Sequence, residues 1–405
     1  MAADWPQWRG PARTGHIATA EVALEKLPSE PKIVWRLKVG EGLASPVVAR
    51  GQVFYFDAVA GKETLHAIDA ATTREIWRAT FDDAFEDTQG PAGPRCTPVV
   101  DEDQVYAVSC KGELQCLGAA DGKILWRANF AKDFQAEFTG EKGPARGAAR
   151  HGNNGSPLIV GDRLYACVGG TNGASVVAFD KYTGRVLWKS QSDQAAFAPP
   201  VFATLANAEQ VVGYTADGLI GLKPDNGQLL WRVPVKTQFG RHVTTPVVVD
   251  DTVVVGSHQA GLIGTRISFE SSGFKAERAW LSREQAVNFS SPVIVGKHLF
   301  GLGAAKDFIC VEALTGKLMW SKAGYITTSA DKAHASFIVL GKNILALSDS
   351  GELVLFAADP AEFREIGRAQ VCGVNWCNPA YADGRLYVRD GIKTTGEMFC
   401  VSLIP

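Results

Sequence analysis

Histidine and arginine side chains are the residues of this sequence whose chemistry could serve a binding or catalytic site. Neutral imidazole is a common ligand of divalent metals, and guanidinium groups bind carboxylates and phosphates through paired hydrogen bonds. Four of the seven histidines, at positions 151, 242, 258 and 334, lie in polar segments between apolar runs. They form no compact motif such as HExxH, so their use depends on a fold that brings distant segments together.

Two cysteine pairs are placed so that each could form a disulfide. Cys96 and Cys110 flank a predicted β-hairpin that turns at residues 101–103, and Cys372 and Cys377 share one connecting segment. Thiols this close in sequence can bond if the fold brings their Cα atoms within about 7 Å. Disulfides at both places would indicate an oxidising compartment.

Composition excludes two classes of function. The 405 residues carry 41 Lys+Arg and 43 Asp+Glu, for a net charge of −2, and no basic cluster stands out. A nucleic-acid partner is therefore not expected, because such binding depends on concentrated positive charge. No uninterrupted apolar run approaches the roughly 18 residues of a membrane span, so no transmembrane segment is predicted.

An internal repeat defines the elements that must position the polar residues. Five copies have a small residue, a polar turn and a final tryptophan, with degenerate copies at 263–280 and 354–368. Apolar residues alternating around a turn that contains glycine predict a strand, a turn and a second strand in each copy. The copies read AIDAATTREIW (67–77), CLGAADGKILW (116–126), AFDKYTGRVLW (178–188), GLKPDNGQLLW (221–231) and CVEALTGKLMW (310–320).

A second hairpin precedes each copy and opens with a small residue, usually followed by proline. Two hairpins in each unit, and a period of about 40 to 50 residues, predict an all-β, eight-bladed β-propeller of four-stranded antiparallel blades. The eight openings are Ser45-Pro46, Thr97-Pro98, Ser156-Pro157, Pro199-Pro200, Thr245-Pro246, Ser291-Pro292, Ser336-Phe337 and Asn378-Pro379.

The two ends of the sequence complement each other. The last unit lacks its tryptophan strand, and an unpaired strand of that type occupies residues 33–39. We predict that strand 33–39 joins the C-terminal blade and closes the ring, which removes exposed sheet edges. The predicted organisation is a single propeller over 33–405 and an extension over 1–32 that packs against the side of the propeller. The WPQWRGP segment (5–11) of the extension could alternatively bind a partner.

Tryptophans and several cysteines occupy fixed positions of the repeat. The tryptophans at 35, 77, 126, 188, 231 and 320 share one position, which predicts packing between blades rather than cofactor binding. Cys116, Cys310 and Cys400 occupy a position that alanine or glycine takes elsewhere, and Cys167 occupies an apolar position. All four are predicted to be buried thiols.

The repeat resembles that of the PQQ-binding-like (quinoprotein-repeat) family of β-propellers, where PQQ is pyrroloquinoline quinone. The best-matched copy runs from Ala178-Phe179-Asp180 through Thr183-Gly184 to Trp188, and the resemblance covers about residues 31–405. The opening DWPQWRGPARTG (4–15) is similar to the mature start of secreted members. The family includes PQQ-dependent dehydrogenases and the propeller lipoprotein of the outer-membrane β-barrel assembly machinery, so the resemblance implies the fold without deciding the activity.

The resemblance to the dehydrogenases implies PQQ with calcium, or another divalent metal, as the cofactor of an enzyme of this type. Those enzymes resemble one another in a vicinal Cys-Cys disulfide on one face of PQQ, a tryptophan on the other face, and a calcium ion held by acidic and amide ligands. This chain has no adjacent cysteine pair, so the sequence does not assign a cofactor.

In a propeller, the loops that lead into the innermost strands converge around the central channel on one face, here called the top face. The residues just before the eight openings therefore supply candidates for binding a polar or anionic ligand. The ligand-binding candidates are Arg95, Arg150, His151, Asn153, Asn154, Arg241, His242, Asn288, His334, Asn375 and Trp376. The candidate metal ligands are His151, His242, His258 and His334.

The predicted function is that of a ligand- or protein-binding module, secreted or periplasmic, that acts through its top face. Its partners would be envelope proteins, a polar or anionic small molecule, or a carbohydrate. Two alternatives stay open. One is an enzyme with a top-face His/Arg site, either a PQQ-dependent dehydrogenase or a metal-dependent, lyase-like enzyme acting on carbohydrate; the other is a scaffold in outer-membrane protein assembly. Residues 1–5 show no signal-peptide pattern, so a secreted form would be a mature chain.

Overall fold

The computed structural model describes residues 4–18, 24–86, 88, 90–141, 145–257, 259–287, 289–327, 333–392 and 395–404. Within these residues the chain forms eight four-stranded antiparallel sheets. Innermost strands of several successive sheets contact one another, and the last sheet contacts the first. The predicted eight-bladed β-propeller is confirmed.

The first strand closes the ring. β1 (Lys32–Val39) pairs antiparallel with the last strand, β32 (Gly396–Ser402), and Trp35 lies opposite Cys400. Blade 8 is completed by β30 (Ala380–Ala382) and β31 (Arg385–Arg389). Because the predicted strand 33–39 lies within β1, the predicted closure is confirmed.

The other seven blades are each continuous in the chain. Blade 1 contains β2 (Val47–Ala49), β3 (Gln52–Val59), β4 (Lys62–Asp69) and β5 (Glu75–Asp83). Blade 2 contains β6 (Val99–Asp101), β7 (Gln104–Val108), β8 (Glu113–Gly118) and β9 (Ile124–Asn129). Two short helices follow, α1 (Phe130–Phe134) and α2 (Gly147–His151). Blade 3 contains β10 (Leu158–Val160), β11 (Arg163–Gly170), β12 (Ala174–Asp180) and β13 (Val186–Ser190).

The second half of the ring repeats this order. Blade 4 contains β14 (Val201–Leu205), β15 (Ala208–Thr215), β16 (Gly218–Leu222) and β17 (Leu229–Pro234). Blade 5 contains β18 (Val247–Val249), β19 (Thr252–Ser257), β20 (Gly261–Glu270) and β21 (Gly273–Ser282). Blade 6 contains β22 (Val293–Val295), β23 (His298–Leu302), β24 (Phe308–Glu312) and β25 (Leu318–Lys322). Blade 7 contains β26 (Ala335–Leu340), β27 (Asn343–Ser348), β28 (Glu352–Ala357) and β29 (Glu365–Gln370).

The repeat residues join each blade to the next. The indole N–H of Trp126 in blade 2 donates to the carbonyl of Lys181 in blade 3 at 2.7 Å. Gly184, in the same turn as Lys181, lies on the Trp126 ring with φ +71°, where a Cβ would come within 2.6 Å of the ring. Glycine alone combines a positive φ with no side chain, so the turn glycine and the tryptophan of the repeat form one contact unit.

The same unit recurs around the ring. Trp77 and Trp188 each donate to a turn of the following blade, and the turn glycines Gly122 and Gly227 lie on their rings. Trp280, in a degenerate copy, repeats the arrangement with Gly316. Trp35 and Trp320 also donate to carbonyls of a neighbouring blade. Trp231 differs, because its indole N–H donates to Gln210 of its own blade, but its ring still packs against apolar residues of blade 5. The predicted packing role of the tryptophans is confirmed.

The N-terminal segment lies in the central channel. Trp5 exchanges two backbone hydrogen bonds with Val48 of β2, at 2.7 and 2.9 Å, and the Val100 N–H of β6 donates to Pro6. Further along, Trp8 donates to Thr245, and His16 pairs with Val339 of β26. Contacts with innermost strands of several blades place residues 4–17 inside the ring rather than against its side. The division into an extension (1–32) and a propeller (33–405) stays a prediction.

Two further observations concern the chain as a whole. All eight cysteines are free, buried thiols, which agrees with the prediction for Cys116, Cys167, Cys310 and Cys400. Among the residues that the structure describes, no helix has the length and apolar character needed to cross a membrane.

Candidate functional site

A cavity of about 1150 Å³ opens at the top face of the channel. Its walls come from the loops that lead into the innermost strands, and the connection between β31 and β32 completes them. Every blade contributes at least one residue, for example Leu43, Arg95, His151, Phe197, Arg241, Phe289, His334 and Trp376 in blade order. The fold therefore brings segments from the whole length of the sequence to one site.

Several sequence-predicted residues meet at this cavity. Of the candidate ligand-binding residues, those that line it are Arg95, His151, Asn154, Arg241, His334 and Trp376. Their convergence follows from the repeat, because each residue lies in the loop that leads into the first strand of its blade. What they bind stays a prediction at this stage.

One wall of the cavity is cationic and is organised by His151. Helix α2 ends at His151, whose carbonyl accepts a hydrogen bond from Arg95 Nη1 at 2.8 Å. Arg241 Nη2 lies 3.0 Å from His151 Nε2. Because guanidinium only donates hydrogen bonds, Nε2 of His151 is the acceptor in this contact. The guanidinium carbons of Arg150 and Arg241 both lie over the ring of Phe239, at 5.4 and 5.1 Å from its centre.

The opposite wall is aromatic and apolar. Phe289 and Trp376 stack with ring centres 5.9 Å apart and an interplanar angle of 24°. Val374 lies beside them and is 57% exposed, which marks the rim of the cavity. Asp390 is the carboxylate among the described lining residues, and it accepts hydrogen bonds from the backbone N–H groups of Gly373 and Glu397, both at 2.8 Å.

His334 is a buried polar group on the cavity wall. The side chain is 4% exposed, and burial lowers the pKa of its imidazole to about 4. The ring is therefore neutral at neutral pH. Its Nδ1 atom has no hydrogen-bond partner among the described residues. A buried nitrogen without a partner is costly to the folded state.

The structure does not place four other candidates on the cavity. His242 is fully buried, and its ring stacks on Tyr214 with ring centres 4.2 Å apart. Its Nδ1 atom donates a hydrogen bond to the carbonyl of Thr215 at 2.7 Å. Burial lowers the pKa of the imidazole to about 4. Asn375 is also fully buried and donates to the carbonyl of Ser348.

Asn153 and Arg150, the other two of these four candidates, contact neighbouring residues of the protein. Asn153 donates to the carbonyl of Cys110, and Arg150 lies over Phe239. Two further candidates, His258 and Asn288, lie outside the described residues. The structure therefore leaves His242, Asn375, Asn153 and Arg150 out of the described cavity lining, and their part in ligand binding stays a prediction.

The described residues do not fit a metal site or a PQQ site of the dehydrogenase type. No group of three or more His, Cys, Asp or Glu side chains among them could hold a metal ion. Of the predicted metal ligands, His151 already accepts from Arg241 and His242 faces away from the cavity. Asp390, the carboxylate of the lining, already accepts two backbone hydrogen bonds. We therefore derive no step that uses a metal or PQQ.

The two predicted disulfides are not formed in this structure. Cys96 and Cys110 are both fully buried thiols, and burial raises the pKa of Cys96 with a further contribution from the charge of Cys110. Burial likewise raises the pKa of Cys372 and Cys377. Each pair is near enough for its charges to interact, and both disulfides stay predictions.

Sequence reasoning missed several lining residues. Val374 adjoins the predicted candidate Asn375, so a wider window around that opening would have included it. Asp390 lies in the connection between the second and third strands of blade 8, a position that also faces the top of a propeller. Trp8 had no signal in the sequence, because its place depends on the extension entering the channel.

The repeat, the closed ring and the top-face channel together define a quinoprotein-type, eight-bladed propeller. The sequence profile of the family described as outer membrane protein assembly factor BamB matches residues 61–322. Since this match spans more than half of the sequence, the chain belongs to that family.

Three relatives illustrate the range of similar sequences. The outer membrane protein assembly factor BamB of Shewanella oneidensis is 21% identical over 398 residues, which cover 92% of this chain and 89% of the relative. The protein of the same name from Moranella endobia is 26% identical over 237 residues, and the match spans only 56% of either sequence. A polyvinylalcohol dehydrogenase from a Pseudomonas species is 26% identical over 43% of this chain and 35% of its own length.

Solved structures share the fold at low sequence identity. BamB from Moraxella catarrhalis has a TM-score of 0.60 and 15% identity, and the match covers 92% of this chain and 99% of that one. Quinohemoprotein alcohol dehydrogenase from Comamonas testosteroni has a TM-score of 0.53 and 14% identity, with coverage of 99% and 80%. A BamB protein and an alcohol dehydrogenase thus share the propeller, so the fold alone does not decide the activity of this chain.

Proposed function

We propose that this chain is a protein-binding propeller of the bacterial cell envelope, and that its top face holds a partner in outer-membrane protein assembly. The observation that carries this proposal is the cavity of about 1150 Å³ to which all eight blades contribute. Family membership and the long match to the Shewanella oneidensis assembly factor support the same role.

The chemistry of the cavity suits a protein partner. Tryptophan and arginine are the residues that most often dominate the binding energy of protein interfaces. Trp376, Phe289 and Arg241 lie together on this face, and Val374 offers exposed apolar surface at the rim.

The location and partners follow from the same proposal. An outer-membrane assembly role requires a periplasmic or secreted protein, and its partners would be envelope proteins. A polar or anionic small molecule, or a carbohydrate, is the alternative occupant of the cavity. The enzyme alternatives have less support, because the described cavity residues fit neither a metal nor PQQ in the dehydrogenase manner.

A photo-crosslinking experiment tests the proposed interface. A photoreactive phenylalanine analogue would replace Val374, at the cavity rim, or Leu125, on the outer strand β9, in the source cells. The two residues are matched in character and are 57% and 49% exposed. We expect crosslinks from position 374 to a protein of the outer-membrane assembly machinery and none from position 125. Equal crosslinking from both positions, or none from position 374, would contradict the proposal.

A further inference from the structure

The floor of the cavity carries buried positive charge. Trp8 lines the cavity, and Arg9 and Arg13 follow it in the channel with 4% and 5% exposure. Arg13 donates to the carbonyls of Pro157 at 2.7 Å and Ser156 at 3.0 Å, and Arg9 donates to the carbonyls of Thr14 and Pro292. These acceptors are neutral dipoles.

Both floor arginines remain cations. Burial lowers the pKa of Arg9 and Arg13 to about 9, which is still above neutral pH. Charges act over longer distances in a protein interior than in water, because the effective dielectric constant is lower. The floor therefore favours a negative charge in the cavity above it.

The cationic wall supplies donors for that negative charge. Arg95 and Arg241 line the cavity from blades 2 and 5, and both contact His151 between them. A guanidinium group matches a carboxylate in geometry and binds it through charge-assisted hydrogen bonds.

The opposite wall selects what the carboxylate is attached to. Phe289 and Trp376 form a stacked pair, with Val374 and Ile392 beside them. An aromatic or apolar group would bury surface against this pair while its carboxylate reached the arginines. The described lining thus combines arginines from blades 2 and 5 with an aromatic pair from blades 6 and 8, and Asp390 is its carboxylate.

We infer that the cavity binds a carboxylate that adjoins an aromatic or large apolar group in the partner protein. The inference rests on the proposed function, because it names the part of the protein partner that occupies the cavity. Two parts of a polypeptide have this chemistry: a C-terminal aromatic residue, and an acidic side chain next to an aromatic residue.

Small probes test the inference with the intact protein. N-acetylphenylalanine carries both groups, N-acetylphenylalaninamide lacks the carboxylate, and N-acetylglycine lacks the ring. We expect titration followed by ligand-observed NMR to give a Kd for N-acetylphenylalanine at least tenfold below that for either of the other two. N-acetyl-aspartyl-phenylalaninamide carries a side-chain carboxylate beside an aromatic residue and has no C-terminal carboxylate. If its Kd is similar to that of N-acetylphenylalanine, the site accepts acidic side chains as well as chain ends. If it does not bind, the site accepts only a C-terminal carboxylate.

Variants place the probe in the cavity. Arg241→Gln and Arg95→Gln should each raise the Kd of N-acetylphenylalanine at least fivefold, and Trp376→Leu should remove its advantage over N-acetylglycine. Arg278→Gln is the matched control, because Arg278 is an exposed arginine on β21 of the same blade as Arg241. It should leave the Kd unchanged. Melting temperatures would show that each variant is folded, and Arg95 and Arg241 provide independent tests if one variant misfolds.

Several results would overturn the inference. Equal binding of N-acetylphenylalanine and its amide, no detectable binding of N-acetylphenylalanine, or binding that both arginine variants retain would each do so. If crosslinking from position 374 to an assembly protein persists in any of these cases, the proposed function stands and only the inference fails. If the probe binds as expected but position 374 crosslinks to no envelope protein, the carboxylate site stands and the assembly role fails.

Discussion

At Gly184 the backbone and a neighbouring ring leave no space for a side chain. Its φ is +71°, and a Cβ would lie 2.6 Å from the ring of Trp126. Gly173, in the preceding turn of the same blade, has a similar φ of +77° but open space around it. The two glycines therefore separate the cost of the backbone conformation from the cost of crowding the tryptophan.

We predict that Gly184→Ala lowers the free energy of unfolding by about 2 to 5 kcal/mol, the sum of left-handed strain and overpacking. Gly173→Ala should cost only the strain, about 1 to 2 kcal/mol. Chemical denaturation of the two variants and the wild type measures the difference. Equal effects of the two substitutions would show that the glycine-on-tryptophan contact does not stabilise the junction between blades.

The eight cysteines predict how many thiols react before and after the protein is unfolded and reduced. All eight cysteines are buried, and burial raises the pKa of thiols outside the predicted pairs, such as Cys116, Cys167 and Cys310, so the folded protein should react slowly with thiol reagents. After unfolding, we expect four reactive thiols in protein from an oxidising compartment, and all eight after reduction. The difference would represent the predicted disulfides between Cys96 and Cys110 and between Cys372 and Cys377. Eight thiols without reduction would contradict both disulfides.

Strands β3 and β4 carry a charged network near the junction of the first and last blades. His66 on β4 contacts Asp57 at 3.1 Å and Glu75 at 3.0 Å, and it stacks on Tyr55. Arg389 of β31 is almost fully buried and donates to the carbonyls of Phe56 and Gly40 across the junction. Burial alone would lower the pKa of His66, but the hydrogen bonds and charges of Asp57 and Glu75 outweigh burial and raise it.

We predict that His66 stabilises the fold more in acid than in base. Because its pKa is raised on folding, the stabilisation is complete below the unfolded pKa of about 6.5 and is lost as pH rises through the folded value. The melting temperature of the wild type should therefore exceed that of His66→Gln by more at pH 5.5 than at pH 9. A difference that is independent of pH, or larger at pH 9, would show that a protonated His66 does not support this junction.

Sequence reasoning predicted elements better than side-chain orientations, and the blade junctions show why. The strands, the closing β1 and the packing of Trp126 follow from a pattern that repeats, so each copy supports the interpretation of the others. The leading loops do not repeat. Whether His242 faces the cavity or stacks on Tyr214 depends on one carbonyl, that of Thr215, which lies 27 residues away in the sequence.

The N-terminal segment connects the blades across the centre of the molecule. Trp5, Trp8, Arg13 and His16 reach innermost strands or leading loops of different blades. Its position could not be predicted from the sequence, since the segment carries no repeat and most of its partners are backbone groups. It makes the channel a cavity with a floor, and it supplies the buried charge on which carboxylate binding depends.

We predict that deletion of residues 1–17 leaves a folded but less stable propeller with a weakened site. Far-UV circular dichroism should keep its β signal, the melting temperature should fall, and the Kd of N-acetylphenylalanine should rise at least tenfold because Trp8, Arg9 and Arg13 are gone. Unchanged stability and unchanged probe binding would show that the segment supports neither the ring nor the cavity.

Ring closure by β1 is a property of the whole molecule. β1 forms the outer strand of blade 8 by pairing with β32, and Trp35 donates to the carbonyl of Ala70 in blade 1 at 2.8 Å. Removing β1 would therefore expose the edge of β32 and break a contact between the first and last blades. An unpaired edge strand is a template for pairing with another chain.

We predict that deletion of residues 1–39 causes a qualitative change, whereas deletion of residues 1–17 causes only a graded loss of stability. The longer deletion should broaden the thermal transition and produce soluble oligomers or aggregates in size-exclusion chromatography with light scattering. A synthetic peptide of residues 31–40 added in excess should restore the monomer, because it can pair with β32 as β1 does. The opposite outcome is a 1–39 deletion that stays monomeric and melts as sharply as the 1–17 deletion. In that case the ring does not depend on its N-terminal strand, because the contacts between neighbouring blades alone hold the first and last blades together.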